Sequence, residues 1–321
     1  MLPKQSYISE ANINHISAKR ISIIILSWNT KELLKRCLRS IYSGYTIDTH
    51  RYKVEIIIVD NGSTDGSREM VRSGQWLVAH QSLVTFRLIE NQQNLGFAKG
   101  NNQGIKVASG ELIMILNSDT IVQKGAIEKL ASFINHHNDV AAISPLLLND
   151  DGSIQKDPCY LRFPSPLTSF LYYNKFLKRL TFKFFPSLLL SKTDFTKPTE
   201  VDQLPGAAMM VRKKILDEVG GFDEKFPIYF EDVDLSFRIR RVGYKLLVVP
   251  DAKVIHLGRK SIEPVIEKEG MEKFYFLNFN SLFLFCEKNY PSWKTLMIKI
   301  IIFLHLILGL KLRLVGKLIQ R

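Results

Sequence analysis

The sequence predicts an α/β protein in which one mostly parallel β-sheet is flanked by helices. Apolar, β-branched runs recur along the first 120 residues, and helical patterns separate them. The runs are continuously apolar, as in ISIIILS over 21–27, which is typical of strands that are buried on both faces. Strands that alternate with helices pair in parallel through right-handed crossovers, so these observations define the fold class.

The predicted elements follow one another in regular order. A helix from about residue 30 keeps its apolar residues on one face, and helices over 97–108 and 124–137 separate later strands. Beyond residue 200, a helix over 231–242 lies between two further strands. The predicted strands cover residues 21–27, 54–59, 84–90, 111–116, 140–144, 206–212 and 245–250.

Composition and charge narrow the function classes. The 321 residues are 46% hydrophobic and 23% charged, which excludes a disordered or collagen-like chain. A formal charge of +13 predicts an anionic partner: nucleic acid, an anionic membrane surface or a phosphorylated substrate. The excess Lys and Arg lie among Phe and Leu rather than in a polar stripe, which argues against nucleic acid. Three distant cysteines predict neither a disulfide framework nor a zinc site, and the N-terminus lacks the apolar stretch of a signal peptide.

Polar segments follow three of the predicted strands directly: SWNT, DNGSTDGS and NSDT. Parallel strands bring such segments to one edge of the sheet, where ligands bind. Asp60 is either a turn-capping residue or an acceptor for a nucleobase N–H. Asp119 is either a helix cap or a ligand for Mg²⁺ or Mn²⁺, and Asn117 on the same side of the chain could reach a ribose or support the metal.

The run NLGFAKGNNQG spaces Gly96, Gly100 and Gly104 by four residues. On a helix these glycines share one face and allow close packing on the sheet, while Lys99 is available for a phosphate or sugar. Neither GxGxxG nor GxxxxGK[ST] occurs, so the dinucleotide-binding and P-loop signatures are absent.

The densest acidic cluster lies in YFEDVDLSFRIRR. Glu231, Asp232 and Asp234 either complement the dipole of the helix that they open or include a general base. Asp232 and Asp234 cannot share a helix face, so their roles should differ, and Arg238 is placed to pair with Asp234. His256, after a predicted strand, is either a core histidine or a metal ligand or phosphate donor.

The C-terminal segment 291–321 is apolar and carries six Lys or Arg residues but no acid. Its unbroken apolar runs are shorter than the roughly 20 residues that a membrane span needs. This pattern favours a basic helix lying in a membrane interface. A helix that packs on the core with snorkelling lysines is the alternative.

The ordered motifs resemble those of family 2 glycosyltransferases with the GT-A fold, in particular the rhamnosyltransferase-like branch that builds bacterial surface polysaccharides. The resemblance covers residues 20–260 and rests on ISIIILSWN, IIIVDNGSTDGS, NQQNLGFAKGNNQGI, LNSDT, GAAMMVR, IYFEDVDLSFRIRRVGY and VIHLGRKS. It implies an inverting transfer from a nucleotide-diphosphate sugar, with dTDP-rhamnose expected first and UDP-hexose or UDP-N-acetylhexosamine next. No QxxRW motif follows the acidic helix, which favours adding one sugar per encounter over processive synthesis.

The resemblance also implies roles for individual residues. Asp60 would hold the base of the nucleotide, with Ser27 and Asn29 nearby. Asp119 would bind the divalent metal, with His256 as a second ligand, and Asp232 would be the catalytic base. The remaining expected site residues are Gly96, Lys99 and Asn117 on the donor side, and Gly206, Ala207 and Glu231 on the acceptor side.

The predicted organisation has an N-terminal extension, a catalytic domain and a helical C-terminal segment. These three parts are expected at residues 1–19, 20–260 and 261–321. The catalytic domain itself divides into a nucleotide-sugar half at about 20–145, a basic and apolar excursion at about 158–200 and an acceptor half at about 201–260. A lipid-linked or oligosaccharide acceptor and basic apolar segments together predict a peripheral protein on the cytoplasmic face of the cell membrane.

Two other function classes fit the sequence less well than a glycosyltransferase does. A sugar-phosphate nucleotidyltransferase should have a GxGxR-type loop after the first strand, where this chain has SWNTKE. A catalytically inactive membrane-surface scaffold would have no need for Asp60, Asp119 and Asp232.

Overall fold

A computed structural model of the chain describes residues 19–42, 51–74, 84–155, 159–189, 195–258, 263–309 and 311–320. The strands are β1 Lys19–Ser27, β2 Tyr52–Asp60, β3 Val84–Glu90, β4 Leu112–Asn117, β5 Thr120–Val122, β6 Val140–Leu148, β7 Thr199–Glu200, β8 Ala208–Arg212 and β9 Lys245–His256. The helices are α1 Lys31–Tyr42, α2 Ser67–Arg72, α3 Phe97–Val107, α4 Ala126–Asn135, α5 Pro166–Tyr173, α6 Lys175–Phe184, α7 Lys213–Val219, α8 Glu231–Arg241, α9 Glu263–Asn289, α10 Ser292–Leu308 and α11 Leu312–Ile319.

The strands form one sheet in the order β3-β2-β1-β4-β8-β6-β9-β5, with β7 beside β9. The long ladders that join β3, β2, β1 and β4 are parallel, as is the β6–β9 ladder. β8 lies antiparallel between β4 and β6. The predicted α/β class with a mostly parallel, helix-flanked sheet is confirmed.

Several strand boundaries differ from the predicted ones, and two of the differences change where site residues lie. β9 continues to His256, which therefore lies within the strand rather than after it. β8 begins at Ala208, so Gly206 and Ala207 lie in the turn that precedes it. β6 extends to Leu148 because it pairs with the extended β9.

The register of the parallel strands aligns their carboxyl ends. Ser27 at the end of β1 lies opposite Asp60 at the end of β2, and Leu26 lies opposite Asn117 at the end of β4. The three polar segments singled out in the sequence therefore meet at one edge of the sheet, as predicted.

Helix α3 packs closely on β1 through its glycines, as their spacing predicts. A Cβ at Gly100 would lie 2.4 Å from Leu26 Cδ1, and one at Gly104 would lie 2.5 Å from Ile24 Cγ2. Real Cβ contacts are never that short, so only glycine permits this helix-to-sheet distance. The glycines thus place the first turn of α3, with Gly96 and Lys99, at the edge where the strands end.

The C-terminal helices form a second apolar core beside the sheet core. Phe279 and Phe283 of α9, Ile302 of α10 and Leu314 of α11 are buried together in it. Helix α10 has a second apolar face that remains exposed, with Trp293 64% and Leu308 83% accessible. The core-packing reading is therefore correct for one face of α10, and no helix among the described residues is long and apolar enough to cross a membrane.

The excursion 158–200 folds in part as the short helices α5 and α6. Helix α5 begins with a capping box formed by Ser165 and Thr168, which explains where it starts. It packs against α10, so two apolar and basic segments that are far apart in the sequence become neighbours. Residue 158 and residues 190–194 of the excursion lie outside the described residues.

We predict that Gly104→Ala destabilises the protein by about 1–3 kcal/mol, because the added methyl group overlaps Ile24 in a packed core. Gly316→Ala in α11 is the matched control, since its Cβ would meet open space. That change should be neutral or stabilise by up to about 1 kcal/mol through helix propensity. Urea unfolding of both variants measures the difference; equal stability of the two would contradict the packing role.

Candidate functional site

The loops after β1 and β2 are tied together by Asn29. Its backbone N–H donates to Ser63 Oγ at 3.0 Å, and its side-chain Oδ1 accepts from the Thr64 N–H at 2.8 Å. Asn29 has a φ of +52°, a left-handed conformation that Asn adopts more readily than most residues. Asn29 therefore shapes the loop that surrounds Asp60, at the position expected near the nucleotide.

Asp60 is 2% exposed at the end of β2 and has one occupied and one unpartnered oxygen. Its Oδ2 accepts from the Ser63 N–H at 3.0 Å and from Arg68 Nε at 2.6 Å, whereas Oδ1 is buried without a hydrogen-bond partner. Arg68 also donates to the Asn91 carbonyl, which fixes its guanidinium. A buried acceptor without a donor suits a nucleobase N–H, and Arg68 is a contributor that the sequence reasoning missed.

Ser27 is nearly inaccessible, and its hydroxyl belongs to a buried chain of hydroxyl groups. Ser27 Oγ lies 2.9 Å from Thr30 Oγ1, which lies 2.9 Å from Ser118 Oγ. This chain joins the end of β1 to the residue before Asp119. Ser27 thus connects the two donor-side loops through its side chain.

Gly96 begins α3 with a φ of +84° and a ψ of 173°, a conformation essentially confined to glycine. Asn61 holds the loop before it, donating to Asn94 Oδ1 at 2.8 Å and to the Gly96 carbonyl at 3.2 Å. Lys99 is exposed on the first turn of α3. Asn102 binds the Phe222 backbone through both its donor and its acceptor, so it joins α3 to the acceptor half instead of facing a ligand.

Asp119 and His256 face each other across the β5–β9 ladder. The backbone N–H of Leu257 donates to the Asp119 carbonyl at 3.0 Å, and His256 Nε2 lies 3.5 Å from Asp119 Oδ1. The Asp119 side chain is inaccessible, and neither of its oxygens has a hydrogen-bond partner. Two unpartnered carboxylate oxygens beside an imidazole nitrogen are a donor set that fits a divalent cation.

Two protein ligands do not complete the shell of such a cation. Across the described part of the chain, no group of three or more His, Cys, Asp or Glu side chains could hold a metal ion. Asp119 and His256 therefore fit a cation whose other ligands are substrate phosphates and water, the usual arrangement for Mg²⁺. Asn117 adjoins this pair; its backbone N–H donates to the Ala207 carbonyl at 2.9 Å.

The acidic cluster opens α8 after two residues with left-handed backbones, Tyr229 at φ +57° and Phe230 at φ +66°. Such conformations cost about 1–3 kcal/mol each and mark functional turns. Asp232 Oδ2 accepts from the Gly206 N–H at 2.8 Å, and Oδ1 accepts from the Val233 N–H at 2.8 Å. The turn therefore brings Asp232 against the segment that leads into β8.

Glu231 and Asp232 both have raised pKa values. Burial raises the pKa of Glu231 to about 8, and the neighbouring Asp232 charge adds to the rise. Desolvation also raises the pKa of Asp232, against the two backbone N–H groups that it accepts from. Glu231 Oε2 is buried without a hydrogen-bond partner. Near pH 7, Glu231 is therefore mainly protonated.

Asp234 has a different role, as the helix geometry predicts. It is fully buried and accepts from Arg238 Nε at 2.7 Å, Lys288 Nζ at 3.0 Å and Asn289 Nδ2 at 3.2 Å. The predicted Asp234–Arg238 ion pair is confirmed. Lys288 and Asn289 come from the end of α9, so this network joins the acidic helix to the C-terminal core.

A short hydrogen-bonded path links the two halves of the site. The Asn117 N–H donates to the Ala207 carbonyl, and the next residue back, Gly206, donates its N–H to Asp232. A Cβ at Gly206 would lie 3.3 Å from Asp232 Oδ2 and 3.1 Å from Phe97. Asn117, expected on the donor side, is therefore joined through Ala207 and Gly206 to Asp232 at the edge of the sheet.

Comparisons with known proteins identify the family of the chain. A family model described as glycosyl transferase family 2 matches residues 22–220, and one described as glycosyl transferase family group 2 matches residues 165–311. The chain is 27% identical over 252 residues to the N-acetylglucosaminyl-diphospho-decaprenol L-rhamnosyltransferase of Mycobacterium tuberculosis, covering 74% of this chain and 75% of that protein. It is 25% identical over 289 residues to the low-salt glycan biosynthesis hexosyltransferase Agl10 of Haloferax volcanii, covering 88% and 80%.

Solved structures share the fold at low sequence identity. The mannosyltransferase PcManGT of Pyrobaculum calidifontis, in complex with GDP-Man and Mn²⁺, has a TM-score of 0.56 at 18% identity, covering 87% of this chain and 68% of that one. GalNAc-T7 with UDP, GalNAc and Mn²⁺ has a TM-score of 0.55 at 19% identity, covering 83% and 51%. Because the first family model spans more than half of the chain, this protein is a glycosyltransferase that belongs to glycosyl transferase family 2, and it has the GT-A fold.

Proposed function

We propose that this glycosyltransferase moves one sugar, with inversion, from a nucleotide-diphosphate sugar to a hydroxyl of a lipid-linked saccharide during surface polysaccharide synthesis. dTDP-rhamnose is the first candidate donor, and UDP-hexose or UDP-N-acetylhexosamine is the next. The name of the Mycobacterium tuberculosis relative, which describes rhamnosyl transfer to a diphospho-decaprenol acceptor, supports both the donor and the acceptor class.

The observation that carries this proposal is the path from the Asp119 segment to Asp232. Asp119 has two unpartnered oxygens, which suit a cation and a diphosphate. Asp232 accepts a hydrogen bond from the Gly206 N–H, just before β8, and its pKa is raised, as a general base requires. A transfer from a phosphorylated donor to a neutral hydroxyl needs two carboxylates in different environments, and Asp119 and Asp232 meet that need.

The residues then divide the reaction among them. Asp60 Oδ1 accepts a nucleobase N–H. Asp119 and His256 would hold the divalent cation, which would neutralise charge on the leaving diphosphate. The oxygen of the acceptor hydroxyl attacks the anomeric carbon from the face opposite the diphosphate, and Asp232 takes the proton of that hydroxyl. The new glycosidic bond forms as the bond to the diphosphate oxygen breaks, so the anomeric configuration inverts.

We propose that the protein works as a peripheral protein on the cytoplasmic face of the membrane. Exposed apolar side chains are concentrated on α6 and α10, among them Phe176, Phe184, Trp293 and Leu304. Segments 165–189 and 291–320 contain basic residues and no acid. Because α5 packs on α10, these segments adjoin, and an apolar surface of positive charge is complementary to an anionic bilayer.

We predict that binding of dTDP or UDP depends on both Mn²⁺ and Asp119. Asp119→Asn removes a charged metal ligand, so nucleotide affinity in Mn²⁺ should fall tenfold or more, to the value that wild-type protein shows in EDTA. Asp217→Asn, an exposed carboxylate on α7, is the matched control and should change nothing. Calorimetric titration measures the nucleotide affinity of the wild type and of both variants. An unchanged affinity in Asp119→Asn would contradict the metal assignment.

We predict that substitutions of Asp232 and Glu231, the two carboxylates that open α8, differ in their effect on kcat. Asp232→Asn removes the general base, so kcat should fall about 10²- to 10⁴-fold while nucleotide affinity is unchanged. Glu231→Gln replaces a group that is already neutral at pH 7, so it should keep most of the activity. In wild-type protein, kcat/KM should fall as the pH drops below the raised pKa of Asp232, because only the ionised carboxylate accepts a proton.

Thermal unfolding tests the protonation of Glu231 independently. Its folded pKa of about 8 lies above the ordinary value of 4.5, so its contribution to stability is complete below pH 4.5 and is lost as the pH rises towards 8. Glu231→Gln should therefore lose less stability than the wild type between pH 5 and pH 8. Parallel curves for the two proteins would contradict the raised pKa.

We predict that the protein floats with anionic vesicles and dissociates as salt is raised. Phe176→Ser with Phe184→Ser on α6 should weaken this binding, since both rings are more than half exposed. Phe86→Ser on β3, where the ring is 45% exposed, is the matched control. Equal flotation of the α6 variant and the control would show that this surface does not contact lipid.

A further inference from the structure

A tight turn places Gln155 against His256. β6 pairs in parallel with β9, and Leu148 at its end lies opposite Ile255. The chain then reverses, and the Gln155 N–H donates back to the Leu147 carbonyl at 2.9 Å. The side chain of Gln155 is thereby held beside the last residue of β9.

The contacts of Gln155 define which way its amide points. Nε2 donates to Asn149 Oδ1 at 3.1 Å and to the His256 carbonyl at 3.3 Å. Oε1 accepts from Cys159 Sγ at 3.4 Å and lies 2.7 Å from His256 Nδ1. Rotating the amide by half a turn would place its oxygen against two other acceptor oxygens, so this orientation is strongly favoured.

The amide orientation determines the tautomer of His256. Gln155 Oε1 has no proton to donate, so Nδ1 must carry the proton of the hydrogen bond between them. A neutral ring with its proton on Nδ1 presents a lone pair at Nε2. That nitrogen lies 3.5 Å from Asp119 Oδ1, a carboxylate oxygen that has no hydrogen-bond partner. Two facing lone pairs fit a cation that both atoms contact.

We infer that Gln155 is a positioning residue for the metal site: it holds His256 as the Nδ1–H tautomer and so directs the Nε2 lone pair to the cation beside Asp119. The inference rests on the metal site of the proposed function. Partners of this kind, which bind the far nitrogen of a metal-binding histidine, set ring orientation and basicity. Gln155 lies far from Asp119 and His256 in sequence and is absent from the motifs that indicate the family.

Imidazole ¹⁵N NMR of the metal-free protein reads the tautomer directly, with His256→Asn used to assign the signal. The wild type should show Nδ1–H, and Gln155→Met, whose thioether sulfur is only a weak acceptor, should shift the ring towards Nε2–H. This readout needs neither metal nor substrate.

Mn²⁺ titration by electron paramagnetic resonance, with excess dTDP or UDP, tests the consequence. Gln155→Met should weaken Mn²⁺ binding about tenfold or more. Gln320→Met, the same change at an exposed position, should have no effect.

The outcomes separate this inference from the proposed function. If the His256 ring of the wild type carries its proton on Nε2 or on both nitrogens, while Mn²⁺ binding still depends on His256, the inference is overturned and the proposed function is not. Unchanged Mn²⁺ affinity in Gln155→Met also overturns it. Mn²⁺ affinity that is unchanged in His256→Asn overturns the metal role of His256 in the proposed function, and the inference with it.

Discussion

The register of the parallel strands is the constraint on which the site depends. β1 and β2 pair so that Ser27 lies opposite Asp60, and β1 and β4 pair so that Leu26 lies opposite Asn117. A shift of one residue in any of these strands would turn its side chains to the other face of the sheet. The hydroxyl chain from Ser27 to Ser118 and the Asn29 contacts with Ser63 and Thr64 join the loops to one another.

Buried carboxylates in this protein differ in how their charge is compensated. Asp60 has one oxygen neutralised by Arg68, and Asp234 is buried within a set of three donors. Asp60 Oδ1, both oxygens of Asp119 and Glu231 Oε2 are buried without hydrogen-bond partners. Burying such oxygens is costly, so Asp60, Asp119 and Glu231 mark places where a ligand or a proton completes the structure. Both oxygens of Asp234 are bonded, and this residue joins the acidic helix to the C-terminal core.

The C-terminal helices are part of the same architecture as the acidic helix. Lys288 bridges Asp223 and Asp234, which ties the end of α9 to the first turn of α8. The same helices bury one face of α10 and leave its other face apolar and exposed. A surface that would meet the membrane is thus built onto the helix that carries the proposed base.

The sequence by itself determined the α/β class, the polar strand ends, the close packing of α3 and the different surroundings of Asp232 and Asp234, because these follow from periodicity and spacing within short segments. Family membership also followed from the order of the motifs. Arg68, Gln155 and Lys288 became visible only in the tertiary structure, since each acts on a partner that folding brings near. The same reason explains the two-sided character of α10: its apolar residues surround the helix, and only packing decides which face the core covers.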